Sequence, residues 1–231
     1  MIETYGSGAI IADSLGYYFY LIGSNLSIMS RYPIEECINI FRPSRSGGAI
    51  LNLGNNRKLA FFDIWLDYRP NMCELLEGEV VAESIIERET ETRVLEINTI
   101  LNEIKPYIDN ANEIPVMMVG DFNSGSHLDW TDEYKALHDG MVIEWPVSQI
   151  MLKEGFKDSF RELNPNVFEA PGFTWSPVIN PFNPDCINDR IDYIYFKGDN
   201  LVPFRSETID HHPVLWPSDH GSVVTHFYFI D

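Results

Sequence analysis

The sequence predicts an α/β or α+β fold in which strands outnumber helices, and three observations carry that prediction. Apolar runs of strand length recur at Ala49–Leu53, Leu59–Leu66, Val116–Val119, Ile191–Phe196 and Val223–Ile230. They are rich in Val, Ile, Phe and Tyr and are bounded by Gly, Pro, Asn or Asp, as buried or half-buried strands are. One long stretch carries helical periodicity instead. A third region, Asp121 to Asp189, is rich in Gly, Pro, Asn and Trp and reads as long loops leaving strand ends, where functional side chains concentrate.

In chain order, the first two runs predict a pair of strands. A long helix is predicted from about Glu79 to Ile108, with Val94, Ile97, Leu101, Ile104 and Ile108 repeating at three and four. Arg93 and acidic residues fall on its other face, and Pro106 kinks or ends it. Val116–Val119 has four apolar residues in a row, the pattern of a strand buried on both faces. Shorter helices are expected at Trp130–His138 and Val147–Glu154. Ile191–Phe196 is the next strand, and Val223–Phe229 completes a sheet. No repeat, low-complexity tract or Gly/Ser linker interrupts the chain, so residues 1–231 read as a single domain.

Composition narrows the function classes. The 231 residues include 16 Lys+Arg and 35 Asp+Glu, a net charge of −19, and 45% are hydrophobic. That apolar content is enough for a sizeable core, which excludes global disorder. No window approaches the roughly 18 consecutive apolar residues of a membrane span, so an integral membrane protein is not expected. The acidic balance disfavours a sequence-blind grip on phosphate backbones. Lys and Arg form no basic stripe, which also counts against wrapping a duplex. A phosphate brought in beside a divalent cation is still compatible, because the ion supplies the local positive charge. Cys37, Cys73 and Cys186 are odd in number, widely spaced and without a CxxC pair, so neither a disulfide framework nor a zinc knuckle is indicated. With no signal peptide visible after Met1-Ile2-Glu3-Thr4, the expected compartment is the cytoplasm.

Three local patterns carry chemistry. The first is Gly120-Asp121-Phe122-Asn123, where glycine allows a tight exit from a buried strand and an acid and an amide stand two apart, projecting from one side. Such a pair can orient a water and hold a phosphoryl oxygen, although an ordinary β-turn uses the same residues. The second is Ser218-Asp219-His220-Gly221 just before the last strand, either an imidazole presented to a site or a solvated loop. The third is Asp189-Arg190-Ile191-Asp192-Tyr193-Ile194. Asp192 shares the face of Ile194 and Phe196, so it points inward and needs a partner, for which His220 is suited.

These three motifs, in this order at strand ends, resemble the signatures of the endonuclease/exonuclease/phosphatase family of metal-dependent phosphoesterases, the DNase I-like enzymes. Ile28–Ile34 resembles the family's Ser-Arg-Tyr-Pro-Ile strand and turn, Gly172-Phe173-Thr174-Trp175 its Thr-Trp loop, and Glu91-Thr92-Arg93 lies in the helix before the Asp121 strand. The resemblance runs from about Glu3 to the C-terminus. It implies a four-layer α/β sandwich, two packed mixed β-sheets flanked by helices, with the site at one end. It further implies Mg²⁺ or Mn²⁺ as cofactor, with Glu3 binding the cation and Asp219 contributing to the metal site. Asp121 would position or deprotonate the attacking water, Asn123 would hydrogen-bond the phosphate, and His220, oriented by Asp192, would contact the phosphoryl oxygens. Asp189 is a rival for the orienting role, and side-chain parity favours Asp192.

Two departures from the family pattern follow. The family's first strand, with its Asn, should precede Glu3, so the sheet is expected to lack that strand. At Phe61–Asp67 the family commonly has an Asn and a His, where Asp63 and Trp65 stand here; Trp65 can donate a hydrogen bond but cannot act as acid or base. Tyr68 is a substitute donor, and Trp175 is the tryptophan expected to line the cleft. The expected activity is divalent-metal-dependent hydrolysis of a phosphodiester or phosphomonoester. The substrate could be nucleic acid, a nucleotide, a sugar phosphate or a phospholipid headgroup, with no obligate protein partner. The alternative is an impaired relative that binds a phosphate ligand or a partner without turnover. His127 and Asp129 read more readily as surface loop than as substrate-facing. His211-His212 does not read as a metal pair, because neighbouring side chains in extended chain point apart. Trp130, Trp145 and Trp216 read as core or loop anchors.

Overall fold

A computed structural model describes residues 7–69, 81–175 and 188–230. Helix α1 (Gly8–Leu15) leads into a hairpin of β1 (Tyr18–Leu21) and β2 (Ser27–Ser30). Strands β3 (Ile34–Asn39), β4 (Ser46–Gly54) and β5 (Arg57–Trp65) follow as an antiparallel meander. Helices α2 (Ala82–Glu91), α3 (Arg93–Glu103) and α4 (Lys105–Asp109) then cross over to β6 (Val116–Asp121), which pairs parallel with β5. After α5 (Pro146–Lys153), β7 (Lys157–Asp158) and α6 (Ser159–Leu163), strand β8 (Asp192–Lys197) enters antiparallel to β6. Strands β9 (Leu201–Ile209) and β10 (Ser222–Phe229) close the chain as a second hairpin.

The central sheet is six-stranded and mixed, in the order β3-β4-β5-β6-β8-β7. Because side chains alternate along a strand, each of its faces builds a separate core. One face presents Phe62, Ile64, Met118, Tyr193 and Tyr195 to Ile97, Ile100, Leu101, Ile104 and Ile108 of the crossover helices. The other presents Ala49, Leu51, Met117, Val119 and Phe196 to the two hairpins, through Ile22, Leu26, Ile28, Leu201, Phe227 and Phe229. Helix α1 packs outside the first hairpin. The layering is therefore helix, sheet, sheet, helix, with the second sheet layer made of two hairpins.

All five predicted strands form, and the helix expected at Val147–Glu154 is α5, with Pro146 in its first turn, where the missing N–H costs nothing. The single helix expected from Glu79 to Ile108 is instead three segments; residues 79 and 80 lie outside the described ones. The first break is Thr92 (φ −126°, ψ −88°) and the second is Ile104 (φ −90°, ψ 5°). Arg93, expected on the solvent face, is buried together with Glu89, so the break at Thr92 lies between two inward-turned charges. Pro106 sits in the first turn of α4, just after the break at Ile104, so the helix is interrupted at this proline as expected.

Trp130–His138 is not a helix apart from a 3₁₀ turn at Lys135–Leu137. Trp130 and His138 stack face to face with ring centroids 4.0 Å apart, whereas eight residues of α-helix would separate them by about 12 Å. The stack and the helix are mutually exclusive.

Candidate active site

The site grows from the end of β6. Gly120 has φ +137°, and a Cβ there would lie 2.0 Å from the carbonyl oxygen of Ile64, so only glycine lets β5 and β6 stay paired at this point. Asp121 is in register with Trp65 on β5 and with Asp192 on β8. Residues in register on neighbouring strands share a face, so Trp65, Asp121 and Asp192 form a row across the C-terminal end of the sheet.

Asn123 adopts a left-handed backbone (φ +49°) and folds back on the acid. Its backbone N–H donates to Asp121 Oδ1 at 2.7 Å; its side-chain amide donates to Asp121 Oδ2 at 2.8 Å and to the carbonyl of Leu66 at 3.0 Å. Both amide hydrogens are thus engaged. Asn123 fixes the carboxylate of Asp121 and ties it to the end of β5. Below this turn, burial pushes the Glu89 carboxyl up to about 7 against the opposing pull of Arg93 and a hydrogen bond with Ser124. Burial lowers the Arg93 guanidinium, while the carboxylates of Glu89 and Asp121 sustain its charge.

On the other side of Asp121, His220 Nδ1 lies 2.8 Å from Asp192 Oδ2. Burial would depress this imidazole, but the charge and hydrogen bond of Asp192, with Asp121 and Asp219 behind it, outweigh burial and raise it to about 10. The imidazolium is therefore the neutral-pH form in the ion-free site. Asp219 is exposed beside it. The loop carrying His220 is pinned by its neighbours: Trp216 Nε1 donates to the His220 carbonyl at 2.8 Å, the His220 N–H donates to Ser218 Oγ at 3.1 Å, and the Gly221 N–H donates to the Thr174 carbonyl at 2.7 Å.

Thr174 and Trp175 join these parts. The Thr174 hydroxyl accepts from the backbone N–H groups of Ile191 and Asp192, both at 3.1 Å. Trp175 pairs by backbone with Asp189 and places its ring 4.9 Å from that of His220. Sequence reasoning assigned no task to Thr174, Ser218 or Asn123's own backbone; the Thr-Trp pair beside a glycine was the visible signal for the first.

Asp189 stands apart from His220. It is buried, accepts from Trp130 Nε1 at 3.2 Å and from the Arg190 N–H at 2.8 Å, and burial pushes it up to about 7 despite those bonds. Arg190 is structural. Its guanidinium lies 2.8 Å from Asp129 Oδ2, 2.6 Å from Asp158 Oδ2 and 4.6 Å from the Tyr193 ring centroid, and Arg161 binds the other oxygen of Asp129 at 2.8 Å. The expectation that Asp129 lies in a surface loop is corrected by this cluster, because Asp129 is 2% exposed. His127 is half-buried against Ser148 Oγ, at 2.7 Å from Nδ1, and burial lowers its pKa. His211 and His212 are exposed and engage Asp210 and the Val214 N–H respectively.

At the β5 end, Trp65 is half-buried and Tyr68 exposed, their rings nearly parallel at 6.5 Å and 17°. Glu3 lies outside the described residues. Among the described residues no group of three or more His, Cys, Asp or Glu side chains is arranged to hold a metal ion. The donor set near His220 is nonetheless one of hard carboxylate oxygens, which suits an ion such as Mg²⁺ that takes one or two carboxylates and keeps its waters.

The sequence pattern of the endonuclease/exonuclease/phosphatase family matches residues 3–220. An uncharacterized protein of Caenorhabditis elegans is 32% identical over 224 residues, covering 88% of this chain and 70% of that one. Among solved structures, the chain is similar to TDP2 of D. rerio complexed with a single-strand DNA product. The TM-score is 0.62 at 18% identity, covering 98% of this chain and 84% of that one. It is also similar to the 3′-5′ exonuclease NExo of Neisseria meningitidis, with a TM-score of 0.61 at 17% identity, covering 95% and 82%.

Proposed function

The chain belongs to the endonuclease/exonuclease/phosphatase family, a family of phosphoester hydrolases, and from that premise we propose that it hydrolyses a phosphoester bond with a divalent cation at the site between Asp121 and His220. The observation that carries the reading is the row of Asp121 beside Asp192, with His220 held 2.8 Å from the latter. Asp121 orients and deprotonates the attacking water, its carboxylate held in one rotamer by Asn123. To touch the phosphate as well, Asn123 must release one of its two bonds, so its main task is positioning. The His220 imidazolium, kept charged by Asp192, donates to a phosphoryl oxygen as negative charge accumulates in the transition state. Asp219 and Glu3 would hold Mg²⁺ or Mn²⁺, which when bound neutralises phosphoryl charge. Thr174 and Trp175 keep Asp192 and His220 in place and close one wall of the site.

A nucleic-acid phosphoester is the first substrate class to assay, since the D. rerio relative binds a single-strand DNA product. No described helix is long and apolar enough to cross a membrane. The test is turnover of DNA, nucleotide and aryl phosphodiesters and monoesters with Mg²⁺, Mn²⁺ or EDTA. Asp121→Asn and His220→Ala are each expected to lower kcat by about 10²–10⁴. Purified full-length protein that shows no metal-dependent turnover on any of them would sink the proposal.

A further inference from the structure

The end of β5 carries a second constellation that none of the proposed chemical steps uses. Trp65 is in register with Asp121, so its side chain rises one strand spacing, about 4.8 Å, from the acid. Tyr68 stacks nearly parallel on Trp65, and each ring has its own arginine: Arg45 lies 5.1 Å from the Trp65 centroid and Arg69 lies 5.2 Å from that of Tyr68. The assembly is fixed by its own acids. Arg45 is bound by Asp67 at 2.6 Å and by Glu96 at 3.3 Å, Glu96 accepts from the Asp67 N–H at 2.8 Å, and Asp67 accepts from the Arg69 N–H at 2.9 Å.

Core packing does not account for Tyr68. It belongs to none of the core clusters and is 44% exposed, yet its ring is held nearly parallel to that of Trp65, the residue in register with Asp121. A chain of net charge −19 has no field to draw in long polyanions. A fixed aromatic face grips by another means: it stacks on any base, while the arginines, already paired with Asp67 and Glu96, hold the two rings in place.

We infer that Trp65, Tyr68, Arg45 and Arg69 form the substrate-gripping element of this site, which takes a base of a single-stranded nucleic-acid end next to the scissile phosphate. The inference rests on the phosphoester-hydrolase reading, and Tyr68 is its specificity-determining residue.

The test measures binding apart from turnover. Full-length protein in EDTA is titrated, by fluorescence anisotropy, into a labelled six-nucleotide thymidine strand and into an abasic strand of the same length and charge. Wild type is expected to bind the base-bearing strand at least about tenfold more tightly. In Tyr68→Ala the ratio falls to within about threefold, and in Tyr68→Phe the tenfold preference returns. A wild-type ratio below about threefold overturns the inference, as does no measurable binding of either strand at roughly millimolar protein. An unchanged ratio in Tyr68→Ala also overturns it, since a merely structural tyrosine would weaken both strands alike. Absence of turnover once metal is restored refutes the hydrolase reading instead and leaves the binding ratio readable.

Discussion

Replacing Asp129 by Asn tests whether the buried ion cluster behind the site holds β8 in place. The carboxylate serves two guanidiniums, Arg161 through Oδ1 and Arg190 through Oδ2, each at 2.8 Å. Asn keeps the shape and one acceptor but turns an NH₂ group towards one of the two cations. Arg190 retains Asp158, and Arg161 retains the carbonyls of Asn164 and Ala170, so the cations are under-partnered rather than abandoned. Removing one partner from a buried ion pair costs about 3–5 kcal/mol, roughly a fifth or more of the about 5–15 kcal/mol typical of a folded domain. Urea unfolding should therefore show a lower midpoint at unchanged slope, equivalent to about 3 kcal/mol or more. The exposed Lys105–Asp109 pair is the control, and Asp109→Ala there should leave the urea midpoint nearly unchanged. If Asp129→Asn costs no more than that control, the cluster is solvated and the reasoning is refuted.

Three further outcomes are expected. In protein stripped of divalent ions, the His220 imidazole titrates near 10 by NMR. Its contribution to stability is then complete below its ordinary 6.5 and is lost as pH rises through about 10; Asp192→Asn should abolish that loss and return the midpoint to 6.5 or below, and a wild-type midpoint near 6.5 would show the pairing absent. Gly120→Ala should lose at least about 3 kcal/mol or fail to fold, because the new Cβ meets the Ile64 carbonyl at a positive φ; a variant within about 1 kcal/mol of wild type by urea melt would contradict the close approach. Thr174→Val leaves two buried N–H groups of β8 without their acceptor. It should cost about 1–3 kcal/mol per group and lower kcat more than it raises KM, with Thr174→Ser restoring both; equal behaviour of Val and Ser would remove Thr174 from the positioning role.

What the sequence disclosed was whatever obeys a short period or a local rule. The parity of Asp192 with Ile194 and Phe196 correctly put it inside, where it meets His220. Gly120 is expected to allow a tight exit from the strand, and what it permits in addition is the close approach of the Ile64 carbonyl. What escaped depends on distant partners. Arg93 and Asp129 are expected in solvent because charged side chains usually go there, yet Arg93 is buried beside Glu89 and within reach of Asp121 and Asp67, and Asp129 is buried between Arg161 and Arg190. The break at Thr92 follows the same inward turn of Glu89 and Arg93 and leaves no mark in the apolar repeat. Strands β1, β3 and β9 were overlooked because they are partly exposed, and β9 carries Pro203 next to the register shift at His226/Phe227. Of the proposed site residues, Asp121, Asn123, Asp192, Asp219, His220 and Trp175 lie near one another, and the clamp made by Thr174 is visible only in three dimensions.

Strand β6 is buried along all six residues and hydrogen-bonded on both sides, and Asp121 is its last residue. In native-state hydrogen exchange such a strand releases its amide protons only when the whole molecule unfolds. His220 follows a long exposed segment, in which Val214 is 86% accessible, and such segments exchange through small openings. The two halves of the site therefore differ in how often they are absent. The acid is in position for as long as the protein is folded, whereas the histidine is held through the few hydrogen bonds that pin its loop, so among the described site residues it is the one expected to leave first.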